Sequence, residues 1–178
     1  GGFGTADGLP LKYQVQIRGS GVKAKWFDAG PHEILTVKDL SLEENERYTV
    51  AVRATDNAGR ASGEKVTTVV IDNTEPVQTA VKPCAQVSSN EKMVTLSWDG
   101  VFKDTASDLR YVISVGTSDS FGDHVMRLPL TEASYTFTAR TTPPPSQYFV
   151  TIVAIDGAGH STTARTAVIV KGAAEQAC

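Results

Sequence analysis

Residues 48–59 read YTVAVRATDNAG, and residues 148–159 read YFVTIVAIDGAG. The two stretches align without a gap, one hundred positions apart, and Tyr, Val, Ala, Asp, Ala and Gly recur at the same places. Self-similarity at a fixed period is the signature of one folding unit used more than once. The chain is therefore predicted to contain two copies of one module.

Each copy predicts a strand followed by a tight turn. From residue 48 to residue 55, apolar positions alternate with polar or small ones, and a period of two buries one face of a β-strand. Asp56–Gly59 ends the strand, because Asp and Asn bond to nearby backbone and Gly accepts a positive φ. In the second copy, Phe149, Val153 and Ile155 make the outer face more apolar, which we interpret as ordinary exposed side chains.

The composition is typical of a soluble all-β protein. The chain has 178 residues, of which 40% are hydrophobic, with a net charge of −3 and a pI of about 5.6. Its 15 glycines and 8 prolines separate short apolar runs, as all-β folds require. The sequence has no basic patch, which argues against nucleic acid as a partner. It has no apolar run of about eighteen residues, which argues against direct membrane insertion.

The first module is predicted to lack its first two strands. Its predicted strands are Leu11–Arg18, a short edge strand at Lys25–Phe27, Glu33–Lys38, residues 48–55 and Lys65–Ile71. Asp72–Pro76 is the predicted boundary, because Pro fixes φ and cannot donate to a ladder. No stretch of this module corresponds to the predicted strand at Met93–Trp98 or to the strand before it. We expect upstream residues to complete the module, with a strand donated by another chain as the alternative.

The second module is predicted to be complete, with seven strands in about a hundred residues. The strands are placed near Cys84–Val87, Val94–Trp98, Leu109–Val115, His124–Leu128, Ser134–Thr138, residues 148–155 and Ala164–Val170. The predicted domains are a partial sandwich at 1–75, a complete sandwich at 76–172, and the start of a linker at 173–178. The predicted fold class is all-β, with two β-sandwiches in tandem.

Several core positions resemble the signature of fibronectin type III modules. They are Trp98 on the second strand, Tyr111 on the third and Tyr148 on the sixth, and Leu42 six residues before Tyr48 resembles the tyrosine corner of that family. In that corner, the Tyr hydroxyl bonds to the chain a few residues upstream.

Other stretches are similar to Ig-like repeats of large cell-surface proteins. They are ATDNAG at 54–59 and, after a further strand, IDNTEP at 71–76. The sequence departs from the family pattern at Thr142, where a Leu would precede Tyr148.

The resemblance implies a non-catalytic structural or adhesive segment of a long extracellular multi-repeat glycoprotein, such as a stalk, filament or cell-surface appendage. The implied partners are neighbouring modules of the same chain and assembly or cell-surface proteins. Two alternatives are a ligand-binding receptor module, using its loops or the Phe149 face, and an accessory domain of a secreted carbohydrate-active enzyme.

No cofactor is expected, and calcium at the junction is the one possibility that the sequence raises. In a seven-stranded sandwich the incoming linker lies near two loops that carry carboxylates, and hard cations take six to eight oxygen ligands. The candidate ligands are Asp72, Glu75, Asp104, Asp108 and Asp156. The alternative is that these residues form ordinary solvated turns.

A second candidate is a modification site in a proline-rich loop. The stretch Thr141, Thr142, Pro143, Pro144, Pro145 and Ser146 resembles hydroxyproline-rich segments of plant and algal surface glycoproteins. The alternative is a stiff polyproline-like loop without modification.

Catalysis is not expected. His32, His124 and His160 lie in or beside predicted loops, and no nucleophile or metalloprotease motif accompanies them. We interpret the three histidines as exposed turn residues. Cys84 and Cys178 lack the spacing of a metal site, and the sequence leaves open whether they pair with each other, pair with neighbouring modules or stay free.

Overall fold

The structure is a computed structural model that describes residues 10–118 and 122–173. Thirteen β-strands lie within these residues. The same residues contain no helix that is long and apolar enough to cross a membrane. The predicted all-β class is confirmed. The chain divides into two compact units, unit 1 at Gly1–Asp72 and unit 2 at Asn73–Cys178.

Unit 1 contains a four-stranded antiparallel sheet. Its strands are β1 (Lys12–Arg18), β2 (Trp26–Gly30), β3 (Arg47–Thr55) and β4 (Lys65–Val70), in the order β2-β1-β3-β4. The short strand that begins at Trp26 lies at the sheet edge, as the sequence predicts.

The apolar positions of β1 and β3 lie on one face of this sheet. Val15 is opposite Val52 and Ile17 is opposite Val50, so the period-two pattern places these side chains together. All four are only half-buried. The strands described in unit 1 form a single sheet, and no second layer of strands covers this face within residues 10–72.

The predicted strand at Glu33–Lys38 is wrong. Residues 33–38 have no strand partner, although Leu35 and Val37 are half-buried and the intervening residues are exposed. Ile34 is 86% exposed. The alternation in the sequence therefore matches the observed exposure pattern. A strand also needs a hydrogen-bonded neighbour, however, and the residues described in unit 1 supply none at this place.

Nine strands lie in the described residues of unit 2. They are β5 (Val77–Gln78), β6 (Cys84–Val87), β7 (Met93–Ser97), β8 (Phe102–Lys103), β9 (Arg110–Gly116), β10 (Val125–Leu130), β11 (Ser134–Thr138), β12 (Gln147–Ile155) and β13 (Ser161–Lys171). Seven of them follow the order β10-β9-β12-β13-β6-β7-β11, while β5 pairs with β8. These two-residue strands went unpredicted because two residues carry no detectable period.

The seven strands form two layers around one core. Strand β13 joins the layers, since it pairs antiparallel with β12 and parallel with β6. The core side chains from β9 and β12 meet those from β7 and β11, and they include Val94, Leu96, Trp98, Ile113, Phe137, Val150 and Ile152. Trp98 packs edge-to-face on Tyr111, with ring centroids 5.6 Å apart. Unit 2 is thus a β-sandwich, as predicted.

Candidate functional site

The turn after β12 is built around Asp156. Its Oδ1 accepts hydrogen bonds from the Gly159 and His160 amides at 2.6 and 2.8 Å, and its Oδ2 lies 3.0 Å from His160 Nδ1. Asp156 is 1% exposed. Burial raises its pKa, but the hydrogen bonds and His160 outweigh burial and hold the pKa below its usual 3.8.

The loop before β9 holds Asp104 in a similar way. Its Oδ1 accepts hydrogen bonds from the amides of Ala106 at 2.9 Å and Ser107 at 2.8 Å. The Ser107 hydroxyl in turn accepts a 2.7 Å hydrogen bond from the Gly157 amide, which joins this loop to the Asp156 turn. The structure therefore brings the two loops together, and it uses both carboxylates to form turns.

Three further residues complete the predicted calcium ligands. Glu75 and Asp108 are exposed, and Asp72 is the half-buried last residue of unit 1. Calcium at these five residues stays a prediction. Its test is the thermal unfolding midpoint with calcium or with a chelator, for the chain and for Asp72→Ala, whose calcium response we expect to be lost.

Two of the three histidines are not the exposed turn residues that the sequence predicts. His160 is half-buried by its pairing with Asp156. His124 is half-buried against aromatic rings, 4.6 Å from Phe137 and 5.9 Å from Tyr148 between centroids. His32 is exposed. Sequence reasoning missed the packing of His124, because the ring partners come from β11 and β12, which are distant in sequence.

The proline-rich loop presents its hydroxyl-bearing residues to solvent. Thr141, Thr142 and Ser146 are exposed, and the Thr141 hydroxyl donates a 2.9 Å hydrogen bond to the Pro143 carbonyl. The Ser146 carbonyl accepts from the Val170 amide at 2.9 Å. The loop is thus anchored at its end, and its hydroxyl-bearing residues are accessible to solvent. Modification here stays a prediction that intact mass measurement tests.

The tyrosine corner differs between the two units. In unit 1, the buried Tyr48 hydroxyl accepts a 2.9 Å hydrogen bond from the Glu43 amide. The ring also needs Gly19, since a Cβ there would lie 2.4 Å from Tyr48 Cδ1. Leu42 is 37% exposed, so in the described unit it does not join a core.

In unit 2, the equivalent Tyr148 hydroxyl is buried without a hydrogen-bond partner among the described residues. The residue five positions before Tyr148 is Pro143, which has no N–H to donate. Burial raises the pKa of Tyr148. The signal for this difference was present in the sequence, where a proline stands in place of Glu43.

The polar face of the unit 1 sheet carries a cluster that sequence reasoning missed. The Arg53 guanidinium lies 4.0 Å from the Trp26 ring centroid and its Nε donates a 2.9 Å hydrogen bond to Gln14. Beside it, Arg18 binds Glu64 through a 2.8 Å ion pair. These partners come from three different strands and a loop, so only the strand register reveals them.

Cys84, the first residue of β6, is disulfide-bonded. No free cysteine is present in the described part of the chain. Cys178 and most of the predicted linker at 173–178 lie outside the described residues.

Comparisons with known proteins found similar solved structures but no matching family. No protein-family model and no curated protein matches the chain. The chain is similar to the crystal structure of the chicken CNTN1 FN1-FN3 domains at 19% identity and a TM-score of 0.48, covering 92% of this chain and 57% of that one. It is also similar to a two fibronectin type-III domain segment from chicken tenascin at 14% identity and a TM-score of 0.37, covering 89% and 83%.

The chain therefore spans a little over half of the length of the CNTN1 structure. The class of protein rests on the strand order, the core and the tyrosine corner of this chain itself. These features define a fibronectin type III-like, all-β protein.

Proposed function

We propose that the chain is a non-catalytic structural or adhesive segment of a long extracellular multi-repeat protein. The observation that carries this proposal is the repetition of one sheet with one register. Val15 faces Val52 in unit 1, and Ile113 faces Ile152 in unit 2. Repeated modules of one architecture suit a protein whose length and surface, rather than one reactive centre, perform its task.

The chemistry of the loops supports a non-catalytic function. The carboxylates of Asp104 and Asp156 are engaged by backbone amides of their own turns. A general base needs its oxygen directed at a substrate proton, so these two groups are better suited to holding loops than to catalysis.

The disulfide of Cys84 supports an extracellular location. Disulfides persist in oxidising compartments and are rare in the reducing cytosol. The sandwich of unit 2 already has a full apolar core, so the bond adds durability to a domain that can fold by its hydrophobic contacts.

The test is the size and location of the protein in its natural source. Antibodies raised against the chain would be used on a reducing, denaturing gel and after surface labelling of intact cells with a membrane-impermeant reagent. We expect a labelled band far above the 19.0 kDa of this chain. A band near 19.0 kDa, or one reached by the reagent only after lysis, would contradict the proposal.

A further inference from the structure

The function above leaves the apolar face of the unit 1 sheet unexplained. Val15, Ile17, Val50 and Val52 on this face are half-buried, whereas their equivalents in unit 2 are 0% exposed: Ile113, Val115, Val150 and Ile152. A cleft of about 300 Å³ opens on the same face. It is lined by Tyr13, Val15, Ala29, His32, Glu33, Leu35 and Val52.

Unit 2 shows what covers the equivalent face there. Its second layer consists of β6, β7 and β11, in which β7 pairs with both neighbours. The side chains that this layer directs into the core are Ala85, Val94, Leu96, Trp98 and Phe137. Because β1 and β3 pair in the same register as β9 and β12, a second layer of strands with the same geometry fits the sheet of either unit.

Residues 33–38 of unit 1 correspond in sequence to β11, the third strand of that layer, although they form no strand. Residues 33–38 lie one hundred positions before residues 133–138, which contain β11. Leu35 and Val37 are half-buried where Tyr135 and Phe137 stand in β11, and Thr36 matches Thr136. In unit 2, the Thr136 hydroxyl lies 2.9 Å from the Thr95 hydroxyl of β7, so a Thr–Thr hydrogen bond joins the two strands at this position.

We propose that the apolar face of unit 1 binds a β-hairpin of the same chemistry as β6–β7. The hairpin consists of two antiparallel strands that direct Ala, Val, Leu and Trp side chains onto the sheet. Its second strand pairs antiparallel with residues 34–38, converts them into a strand and places a Thr opposite Thr36. Strand addition of this kind uses main-chain hydrogen bonds for affinity and alternate side chains for specificity.

The register of the repeat allows a direct test. Trp98 precedes Tyr111 by thirteen positions, and the position before Gly1 precedes Tyr13 by the same number. A copy of residues 84–98, with Cys84→Ser in the copy, is therefore joined directly before Gly1 of the full chain. The readouts are amide hydrogen exchange of residues 34–38, the methyl NMR shifts of Val15 and Val52, and the native mass by light scattering.

We expect the amides of residues 34–38 to exchange at least about 100-fold more slowly in the extended chain, because strand amides exchange only through opening. The Val15 and Val52 methyl signals shift on burial, while the chain stays monomeric. The matched control carries Val94→Asp and Leu96→Asp in the added copy only. It leaves the exchange of residues 34–38 as fast as in the unextended chain.

Unprotected amides at residues 34–38 in a monomeric extended chain would overturn the proposal. Unchanged exchange in unit 2, whose own β6 and β7 are intact, shows in the same experiment that the protein is folded. If the unextended chain already protects residues 34–38 and has the mass of a dimer, a second copy covers the face, and the separate hairpin is wrong.

Discussion

The two units contain the same sheet in two different environments. Tyr48 and Tyr148 are the second residues of equivalent strands, and the strands beside them pair in one register. On this face, Ile113, Val115, Val150 and Ile152 of unit 2 are 0% exposed, while their equivalents in unit 1, Val15, Ile17, Val50 and Val52, are half-buried. The difference comes from the second layer, which β6, β7 and β11 provide in unit 2. A strand's sequence therefore specifies which face is apolar, but its burial depends on the rest of the fold.

The largest expected difference between the units is in the loss of stability when one valine of the apolar face is replaced by alanine. Val150→Ala removes two methyl groups from a site that is 0% exposed, and we expect unfolding of unit 2 to become easier by about 2 kcal/mol. Val50→Ala, at the equivalent half-buried site, is expected to cost less than about 1 kcal/mol. Native-state hydrogen exchange of β3 and β12 measures both.

Equal losses in the free energy of unfolding for Val50→Ala and Val150→Ala would show that another molecule already covers the apolar face of unit 1 in solution. Repeating the pair in the chain extended by the β6–β7 copy sharpens this comparison. There the cost of Val50→Ala should rise towards that of Val150→Ala.

A smaller difference is expected at the two tyrosine hydroxyls. Tyr48→Phe removes the acceptor of the Glu43 amide and is expected to destabilise unit 1 by about 1 kcal/mol. Tyr148→Phe is expected to leave unit 2 unchanged or slightly more stable, because the lost hydroxyl is buried without a partner among the described residues. Denaturant unfolding of the two variants, followed by NMR signals from each unit, measures both effects. A clear loss of stability in Tyr148→Phe would mean that its hydroxyl is bonded in solution.

The smallest expected difference is in how much stability the turns after β3 and β12 lose as pH falls. Hydrogen bonds from the Arg60 backbone and side chain hold the pKa of Asp56 low, as the neighbours of Asp156 do in unit 2. A depressed folded pKa means stability that is present above the unfolded value, ordinarily near 4, and is lost as pH falls through the folded value. Asp156→Asn should therefore reduce the loss of stability of unit 2 at low pH. Asp56→Asn should have a smaller effect on unit 1, since of the two carboxylates only Asp156 is almost fully buried.

This prediction is checked by unfolding midpoints measured between about pH 2 and pH 7. Asp108→Asn is the matched control, because Asp108 is an exposed carboxylate of unit 2. If the unfolding midpoint of Asp156→Asn falls as steeply with decreasing pH as that of the parent chain, other carboxylates cause the acid sensitivity.

Much of the fold could be predicted from local patterns. The alternation in Lys12–Arg18 and Arg47–Thr55 predicted both strands and their apolar face, and the Asp-rich turns followed from residue type. The candidate sites were less predictable. Carboxylates that were grouped as calcium ligands include Asp104 and Asp156, which the structure uses to accept amides in their own turns. Residue type alone does not distinguish a turn-forming carboxylate from a metal ligand.

The sequence by itself determined the all-β class, the repeat of one hundred positions and the face that each strand directs to a core. These properties follow from side-chain alternation and turn chemistry, which act over a few neighbouring residues. Only the tertiary structure decided that β11 is a strand while residues 33–38 are not, and that His124 packs on Phe137 and Tyr148. The physical reason is that strand hydrogen bonds and burial both require a partner from elsewhere in the fold, which no local pattern contains.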